Sequence, residues 1–298
     1  MQTITPELRQ WIIDQAAAGC ALPAMLQSMC DAGWSQELAA TALETTLETT
    51  LKSAQLPRTG ESTTPYAQQS VTSHLMAATA TRLPQPRLGE SPTSLDGGDR
   101  MVNVLLAVAQ PRIMVFGNLL SDEECNALIA AATPRMQRSL TVASHTAGEE
   151  VHVDRTSDGM FFQRGEGHLL KRIEARIAQL LQWPVENGEG LQVLHYRPGA
   201  QYRPHYDYFD PADAGTPAIL QRGGQRVGTL VIYLNTPEKG GGTTFPDVRL
   251  EVAPQRGNAV FFSYERPDPA TRTLHGGAPV IAGEKWIATK WLREREFN

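Results

Sequence analysis

The second half of the chain is a succession of short strand-forming segments separated by turn residues. Six such segments follow Pro184, each bounded by glycine or proline: Leu191–Tyr196, Gln201–Asp207, Gly228–Asn235, Arg249–Val252, Asn258–Ser263 and Trp286–Leu292. Two helical patterns precede them, one opened by a capping box at Ser121–Glu124 and one running from Gly165 to Trp183. Many short strands preceded by helices predict an α+β, mainly β domain, a barrel or jelly roll with helices packed on one side.

Composition divides the chain into three parts. Residues 1–52 carry apolar residues at helical spacing, residues 53–98 are rich in proline, serine, threonine, glycine and glutamine, and residues 99–298 hold the strand pattern. The middle part cannot bury enough apolar surface to offset its chain entropy. We therefore expect a flexible linker between a small N-terminal all-α bundle and a larger domain.

The N-terminal part contains breaks that divide it into three short helices. Gly19–Pro23 ends the first helix, and Ala32–Trp34 ends the second. The residues from Leu26 to Leu43 faintly resemble ubiquitin-associated-type three-helix modules. The apolar residues are explained by the core of the bundle itself, and a partner-binding role, for a partner that the sequence does not identify, is the second hypothesis.

Charge and cysteine content restrict the partners and the compartment. A net charge of -5 and an isoelectric point near 5.8 give no basic field, so we expect no nucleic-acid partner. No run approaches the roughly 18 apolar residues of a membrane span, and the N-terminus lacks the pattern of a signal peptide. Cys20, Cys30 and Cys125 form no C-x-x-C pair. These features predict a cytoplasmic protein without a membrane partner.

The triplet His205-Tyr206-Asp207 is the first candidate for chemistry. On an extended strand, side chains two residues apart point to one face, so His205 and Asp207 can converge. An imidazole and a carboxylate suit iron(II) when a second histidine completes the set. His275 follows about 70 residues later, and Lys285 lies ten residues beyond it. Taken singly, His275 can be explained as a turn cap and Lys285 as a solvated lysine.

Together with their flanking motifs, these residues resemble the prolyl 4-hydroxylase branch of the iron(II)- and 2-oxoglutarate-dependent dioxygenases. The resemblance runs from about residue 112 to residue 298. Its motifs are Arg155-Thr156-Ser157-x-Gly159-Met160-Phe161, Tyr196-x-x-Gly199, Tyr202-x-x-His205-x-Asp207, Gly223-Gly224-Gln225-Arg226, Tyr233-Leu234-Asn235, Gly240-Gly241-x-Thr243-x-Phe245-Pro246, Val252-x-Pro254-x-x-Gly257, His275-x-Gly277-x-Pro279-Val280 and Gly283-x-Lys285-Trp286. The resemblance implies that residues 99–298 form a double-stranded β-helix, or jelly roll, with catalytic activity.

The resemblance also implies a cofactor site. His205, Asp207 and His275 would hold Fe²⁺. Lys285 would pair with the distal carboxylate of 2-oxoglutarate, with hydrogen bonds from Tyr196 and Thr243. O₂ is then the second cosubstrate, and L-ascorbate is a further candidate cofactor. Many related branches carry arginine in place of this lysine, so the lysine favours the prolyl hydroxylase branch.

A third set of residues is implied on the substrate side. Arg226 and Trp291 would lie near a peptide substrate, Tyr202 near the iron, and Arg155 to Phe161 in a mobile segment that closes over the substrate. A core position on the last strand explains Trp291 equally well. The histidines at positions 145, 152, 168 and 195 are expected to be structural or surface residues.

The function expected from this resemblance is hydroxylation of a peptidyl proline at C4, with release of succinate and carbon dioxide. The partner would be a proline-containing protein or peptide. Hydroxylation of another residue or of a small molecule remains open, as does a binding protein that senses oxygen or 2-oxoglutarate. The sequence contains no G-x-S-x-G elbow, no P-loop and no dinucleotide-binding glycine fingerprint.

Overall fold

A computed structural model describes residues 5–17, 22–36, 38–43, 45–46, 83–89, 92–138, 141–142, 149–150 and 156–298. The chain divides into two compact units, residues 1–77 and 78–298. Each unit has a hydrophobic core of its own.

The first unit is helical where it is described. Helix α1 spans Pro6–Ala17, helix α2 spans Leu22–Asp31, and further helical residues lie within 36–46. They share a small apolar core made of Ile12, Met25, Met29, Ala39, Ala42 and Leu43. Both helices lie where the apolar spacing placed them. The closed three-helix bundle stays a prediction, because residues 18–21, 37, 44 and 47–52 lie outside the described residues.

The second unit consists mainly of short strands. In chain order they are β1 Ser94–Asp96, β2 Met101–Val108, β3 Arg112–Gly117, β4 Gln137–Arg138, β5 Thr141–Val142, β6 Glu149–Glu150, β7 Asp158–Phe162, β8 Leu191–Tyr196, β9 Tyr202–His205, β10 Arg226–Tyr233, β11 Lys239–Gly240, β12 Thr243–Phe245, β13 Leu250–Val252, β14 Ala259–Ser263, β15 His275–Gly277, β16 Val280–Ala282 and β17 Lys285–Arg293. Its α-helices are α3 Asp122–Ala132, α4 Gly167–Leu181 and α5 Thr216–Leu220, with 3₁₀ turns at Thr133–Arg135, Val185–Asn187, Pro246–Val248 and Pro269–Thr271.

Two antiparallel sheets enclose the interior of this unit. Within the described residues, nine strands form the larger sheet in the order β1-β2-β3-β14-β10-β17-β8-β7-β4, and four form the smaller one in the order β13-β12-β15-β9. Alternate side chains of the larger sheet, such as Val115, Leu194 and Val231, pack in one apolar cluster with Phe245 and Val252 of the smaller sheet. This mainly β arrangement agrees with the predicted α+β class and with a jelly roll.

The longer helices pack on the opposite face of the larger sheet. Ile173 and Ile177 of α4 share a second apolar cluster with Leu230 and Ile232 of β10. The predicted capping box at Ser121 begins α3. Ser121 Oγ accepts a hydrogen bond from the backbone N–H of Glu124, and the Glu124 carboxylate accepts one from the backbone N–H of Ser121. Because the helices pack on one face of the larger sheet, its other, inner face is free for a site.

The linker interpretation was wrong for its last residues. Ser94–Asp96 forms strand β1, which pairs with β2, and the backbone N–H of Gln85 donates to the carbonyl of Leu181 at 2.8 Å. Leu83, Leu88 and Leu95 pack against the core of the second unit. Backbone hydrogen bonds and three separate leucines hold this segment against the second unit. Such contacts produce no periodic pattern in the sequence, so the prediction missed them. Residues 53–82 lie outside the described residues.

None of the helices in the described ranges combines the length and the apolar character needed to cross a bilayer.

Candidate active site

Three predicted metal ligands meet beside strands β15 and β9, at one edge of the smaller sheet. His275 opens β15 and is the cross-strand partner of His205, the last residue of β9. Asp207 does not share the strand with His205, as the sequence suggested, but lies in the bend that follows it. His205 Nε2 is 3.5 Å from Asp207 Oδ1, and His275 Nε2 is 3.4 Å from Asp207 Oδ2. All three ligand atoms lie within 4.8 Å of one another.

Hydrogen bonds at Nδ1 orient both histidine rings so that Nε2 points toward the centre of this triad. His205 Nδ1 lies 2.9 Å from the carbonyl oxygen of Arg203, and His275 Nδ1 lies 3.0 Å from that of Thr273. A carbonyl oxygen only accepts, so both Nδ1 atoms carry the proton and both Nε2 atoms offer a lone pair. Two imidazoles and one carboxylate with this orientation fit an iron(II) ion.

The protonation states of the triad also suit a metal. Burial, followed by the neighbouring charge of His275, lowers the pKa of His205 below its usual value. Burial opposes ionisation of Asp207, but the adjacent imidazoles of His275 and His205 hold its pKa well below the usual range. Asp207 is therefore ionised and His205 neutral at neutral pH, which are the forms that bind metals.

Asp207 has a further partner that the sequence did not single out. The hydroxyl of Thr229 on β10 donates to Asp207 Oδ2 at 2.7 Å, and it lies 3.1 Å from the hydroxyl of Tyr264. Both atoms are buried. Thr229, like Val231 and Tyr233, faces the inner side of β10. This alternation along the strand is the sequence signal that could have pointed to Thr229.

Lys285 opens β17 at the other end of the same cavity. Its side chain is only 2% exposed, and no carboxylate of the described residues lies within ion-pair distance of its Nζ. Burial lowers its pKa to about 8, although the charge of Glu251 acts in the opposite direction. A buried cation without a partner is a binding site for an anion, so the residues present fit the carboxylate of 2-oxoglutarate.

Tyr196 and Thr243 lie beside this lysine. Tyr196 is its cross-strand partner on β8, with Lys285 Nζ 5.4 Å from the centre of the phenol ring. The hydroxyl of Tyr233 donates to Thr243 Oγ1 at 2.8 Å, and this bond orients the Thr243 hydroxyl.

One cavity joins the triad to the lysine. Its walls are Leu194, Tyr196, Tyr202, His205, Asp207, Val231, Thr243, His275, Gly276, Gly277, Lys285, Ile287, Thr289 and Trp291. These include all the residues that the sequence assigned to the site except Arg226 and Arg155. Arg155 lies outside the described residues. Tyr202 stacks on the ring of His205 with 3.7 Å between ring centres, which places it next to a proposed metal ligand.

Arg226 lies behind the cavity wall in a buried ion pair. Its Nε and Nη2 donate to the two carboxylate oxygens of Glu189 at 2.7 and 2.9 Å, and Arg293 Nη1 donates to the same carboxylate at 2.9 Å. Burial opposes ionisation of Glu189, but these arginines lower its pKa. Sequence analysis missed Glu189, because no local pattern links it to a partner 37 residues away.

Trp291 has the buried position of a core aromatic on the last strand, and it also lies at the cavity. It is 7% exposed, and the guanidinium carbon of Arg226 lies 4.0 Å from the centre of its indole ring. It also lines the cavity, and its indole Nε1 has no hydrogen-bond acceptor among the described residues. Trp291 is thus a buried aromatic that forms part of the cavity wall.

The remaining described histidines lie away from the cavity. His195 stacks on Trp286 with 4.1 Å between ring centres, and its Nε2 lies 3.0 Å from Glu284 Oε2. His168 is exposed on α4. Both have the structural or surface positions expected of them, and residues 145 and 152 lie outside the described residues.

Comparisons with known proteins identify a matching family and several relatives of this chain. Residues 191–293 match the 2OG-Fe(II) oxygenase superfamily. Prolyl 4-hydroxylase 5 of Arabidopsis thaliana is 40% identical over 223 residues, which cover 67% of this chain and 74% of that protein. Prolyl 4-hydroxylase 1 of the same plant is 43% identical over 203 residues, covering 62% and 70%. The solved viral collagen prolyl hydroxylase of Paramecium Bursaria Chlorella virus-1 is 33% identical, with a TM-score of 0.47, over 61% of this chain and 95% of that one.

Proposed function

The chain belongs to the prolyl 4-hydroxylase family of 2OG-Fe(II) oxygenases, and from this membership we propose that it hydroxylates a peptidyl proline at C4, with release of succinate and carbon dioxide. The family implies Fe²⁺ and 2-oxoglutarate. The observation that carries the proposal is the single cavity that places His205, Asp207 and His275 beside the buried cation of Lys285.

The proposed metal ligands are His205 Nε2, His275 Nε2 and one carboxylate oxygen of Asp207. Iron bound there, together with 2-oxoglutarate and dioxygen, would supply the oxidising chemistry that converts a C–H bond of the substrate into C–OH. Three protein ligands leave positions open for 2-oxoglutarate and dioxygen. The backbone carbonyls that hold both Nδ1 atoms, and the hydroxyl of Thr229, keep the ligands oriented.

Lys285 is the proposed anchor for the distal carboxylate of 2-oxoglutarate. The apolar side chains of Leu194, Val231 and Ile287 line the same cavity and exclude water from it. A charge-assisted hydrogen bond is stronger in such surroundings than in bulk water. The hydroxyls of Tyr196 and Thr243 are the proposed additional partners of the cosubstrate.

The substrate-side residues remain Arg226, Trp291, Tyr202 and Arg155 in this proposal. Glu189 neutralises Arg226, so the guanidinium supports the indole of Trp291 without presenting an unpaired charge. An uncharged group such as the pyrrolidine ring of proline suits a wall of this kind. Arg155 is proposed to belong to a segment that covers the bound peptide.

Mass spectrometry tests the proposal directly. The full chain is incubated with Fe²⁺, 2-oxoglutarate, dioxygen and proline-containing peptides, and we expect one oxygen atom to be added to a proline. The matched variant His205→Ala should lose this product and the succinate formed with it. Oxygen added only to another residue or to a small molecule would replace the proline assignment. Metal binding without turnover on any peptide would favour a sensor.

Further expectations from the sequence stay proposals. A cytoplasmic location, and a partner that is neither nucleic acid nor membrane, rest on the net charge of -5 and the cysteine content. L-ascorbate is retained as a candidate cofactor, and its test is whether it sustains turnover after the first cycles. A partner for the N-terminal unit would appear as a protein captured by the full chain and not by a chain that begins at residue 78.

A further inference from the structure

Phe161 is a large apolar residue that stays exposed beside the proposed active site. On β7 its cross-strand partner is Gln192 of β8, which in turn pairs with Thr289 of β17. Cross-strand partners project to the same face of a sheet, and Thr289 lines the cavity. Phe161 therefore lies on the inner face of β7, the strand next to β8, whose Leu194 and Tyr196 line the cavity. Its side chain is 46% exposed, whereas its neighbour Phe162 is buried on the other face.

A second aromatic ring connects Phe161 to the cavity. The ring centres of Phe161 and Trp291 are 6.3 Å apart, with 35° between their planes. The backbone beneath Phe161 is held in place, because Arg135 Nη2 donates to its carbonyl oxygen at 2.9 Å while Arg135 Nη1 donates to Glu166 at 2.6 Å. The two rings thus form a continuous aromatic surface from the cavity wall to its rim.

Among the described residues, the arginines next to this aromatic surface are paired within the chain. Arg226 and Arg293 share the carboxylate of Glu189, and Arg135 pairs with Glu166. A charged group that approached the surface would lose water without finding a free partner among these residues. An apolar group would gain contact with two rings.

We propose that Phe161 is a specificity residue that contacts the residue next to the target proline and selects an apolar side chain there. The inference rests on the proposed function, since it assumes that a peptidyl proline occupies the cavity. Its basis is the continuity of the exposed ring with the cavity wall through Trp291.

The test uses the iron-loaded full chain, 2-oxoglutarate and three heptapeptides of sequence Gly-Gly-X-Pro-X-Gly-Gly. X is leucine, glutamate or lysine, and hydroxyproline is measured. We expect the KM of the wild type for the leucine peptide to be lower by about tenfold than for the charged peptides. Phe161→Ala should raise the KM for the leucine peptide about fivefold to tenfold and change kcat by less than about twofold.

Two further variants separate a contact from a loss of folding. Phe161→Leu should keep most of the preference, and Phe161→Lys should reverse it in favour of the glutamate peptide. Leu105→Ala is the matched control, because Leu105 is 55% exposed on β2, near the opposite end of the same sheet. Its KM values should equal those of the wild type.

The outcomes distinguish this inference from the proposed function. Hydroxyproline formation with the same KM profile in wild type, Phe161→Ala and Phe161→Lys would overturn the role of Phe161 and leave the proposed function in place. If the wild type hydroxylates the proline of none of the peptides while it oxidises another group, the proposed function fails, and this inference fails with it.

Discussion

Replacing Lys285 should remove most of the affinity for 2-oxoglutarate while leaving the metal site intact. Lys285 is 2% exposed, and no carboxylate of the described residues lies within ion-pair distance of its Nζ, so the cosubstrate would be its partner. Removing one member of a buried ion pair costs about 3–5 kcal/mol. This corresponds to a rise of about 10²- to 5 × 10³-fold in the Kd of 2-oxoglutarate for Lys285→Met.

The assay is an anaerobic calorimetric titration of the iron-loaded enzyme with 2-oxoglutarate at pH 7. Lys239→Met is the control, because Lys239 is an exposed lysine on β11. Iron affinity, titrated separately, should be the same for both variants and the wild type, because Lys285 is not a ligand. A Kd for Lys285→Met within about threefold of the wild type would refute the assignment, since even an exposed ion pair contributes up to about 1 kcal/mol.

The same interaction should depend on pH in a defined direction. Burial lowers the pKa of Lys285 to about 8 in the free protein. Only the protonated lysine pairs with a carboxylate, and the bound carboxylate raises the pKa of this lysine. The affinity for 2-oxoglutarate should therefore be fully present below pH 8 and decrease as the pH rises above it, by up to about tenfold per pH unit. An affinity that is constant between pH 7 and pH 9 would contradict this origin of binding.

Three further variants test other parts of the domain. Thr229→Val removes the 2.7 Å hydrogen bond to Asp207 Oδ2 and should weaken iron binding about 10- to 100-fold in an anaerobic titration, whereas Thr229→Ser should retain it. Glu189→Gln leaves Arg226 and Arg293 without their shared carboxylate and should lower the free energy of unfolding by about 3–5 kcal/mol in chemical denaturation; a loss below 1 kcal/mol would argue against a buried pair. Ser121→Ala removes the capping box of α3 and should cost about 1 kcal/mol by the same measurement, with hydroxylation unchanged.

Several features of the site could be predicted from local spacing or from family motifs. The two-residue spacing of His205 and Asp207, and the family resemblance that implied His275 and Lys285, identified residues that the structure brings into one cavity. The capping box at Ser121 was predicted from four residues and is present in the structure. In both cases the signal is local or belongs to a motif, so it does not depend on how distant strands pair.

Other features were missed because they depend on partners far apart in the sequence. Glu189 acquires its role from Arg226 and Arg293, and these meet it only when β17 lies between β8 and β10. Strand β1 forms in a segment of linker-like composition, because the exposed edge of β2 offers it backbone hydrogen bonds. Neither the charge pairing nor the edge pairing leaves a pattern in the residues themselves.

The sequence by itself determined the mainly β class, because alternation and turn residues are local properties of the chain, and its resemblance to a known family pointed to the three candidate ligands and the buried lysine. Only the tertiary structure decided that Asp207 reaches the histidines from a bend, that Glu189 neutralises Arg226, and that Phe161 remains exposed beside Trp291. These facts follow from strand register and packing, which fix contacts between residues that are distant in sequence.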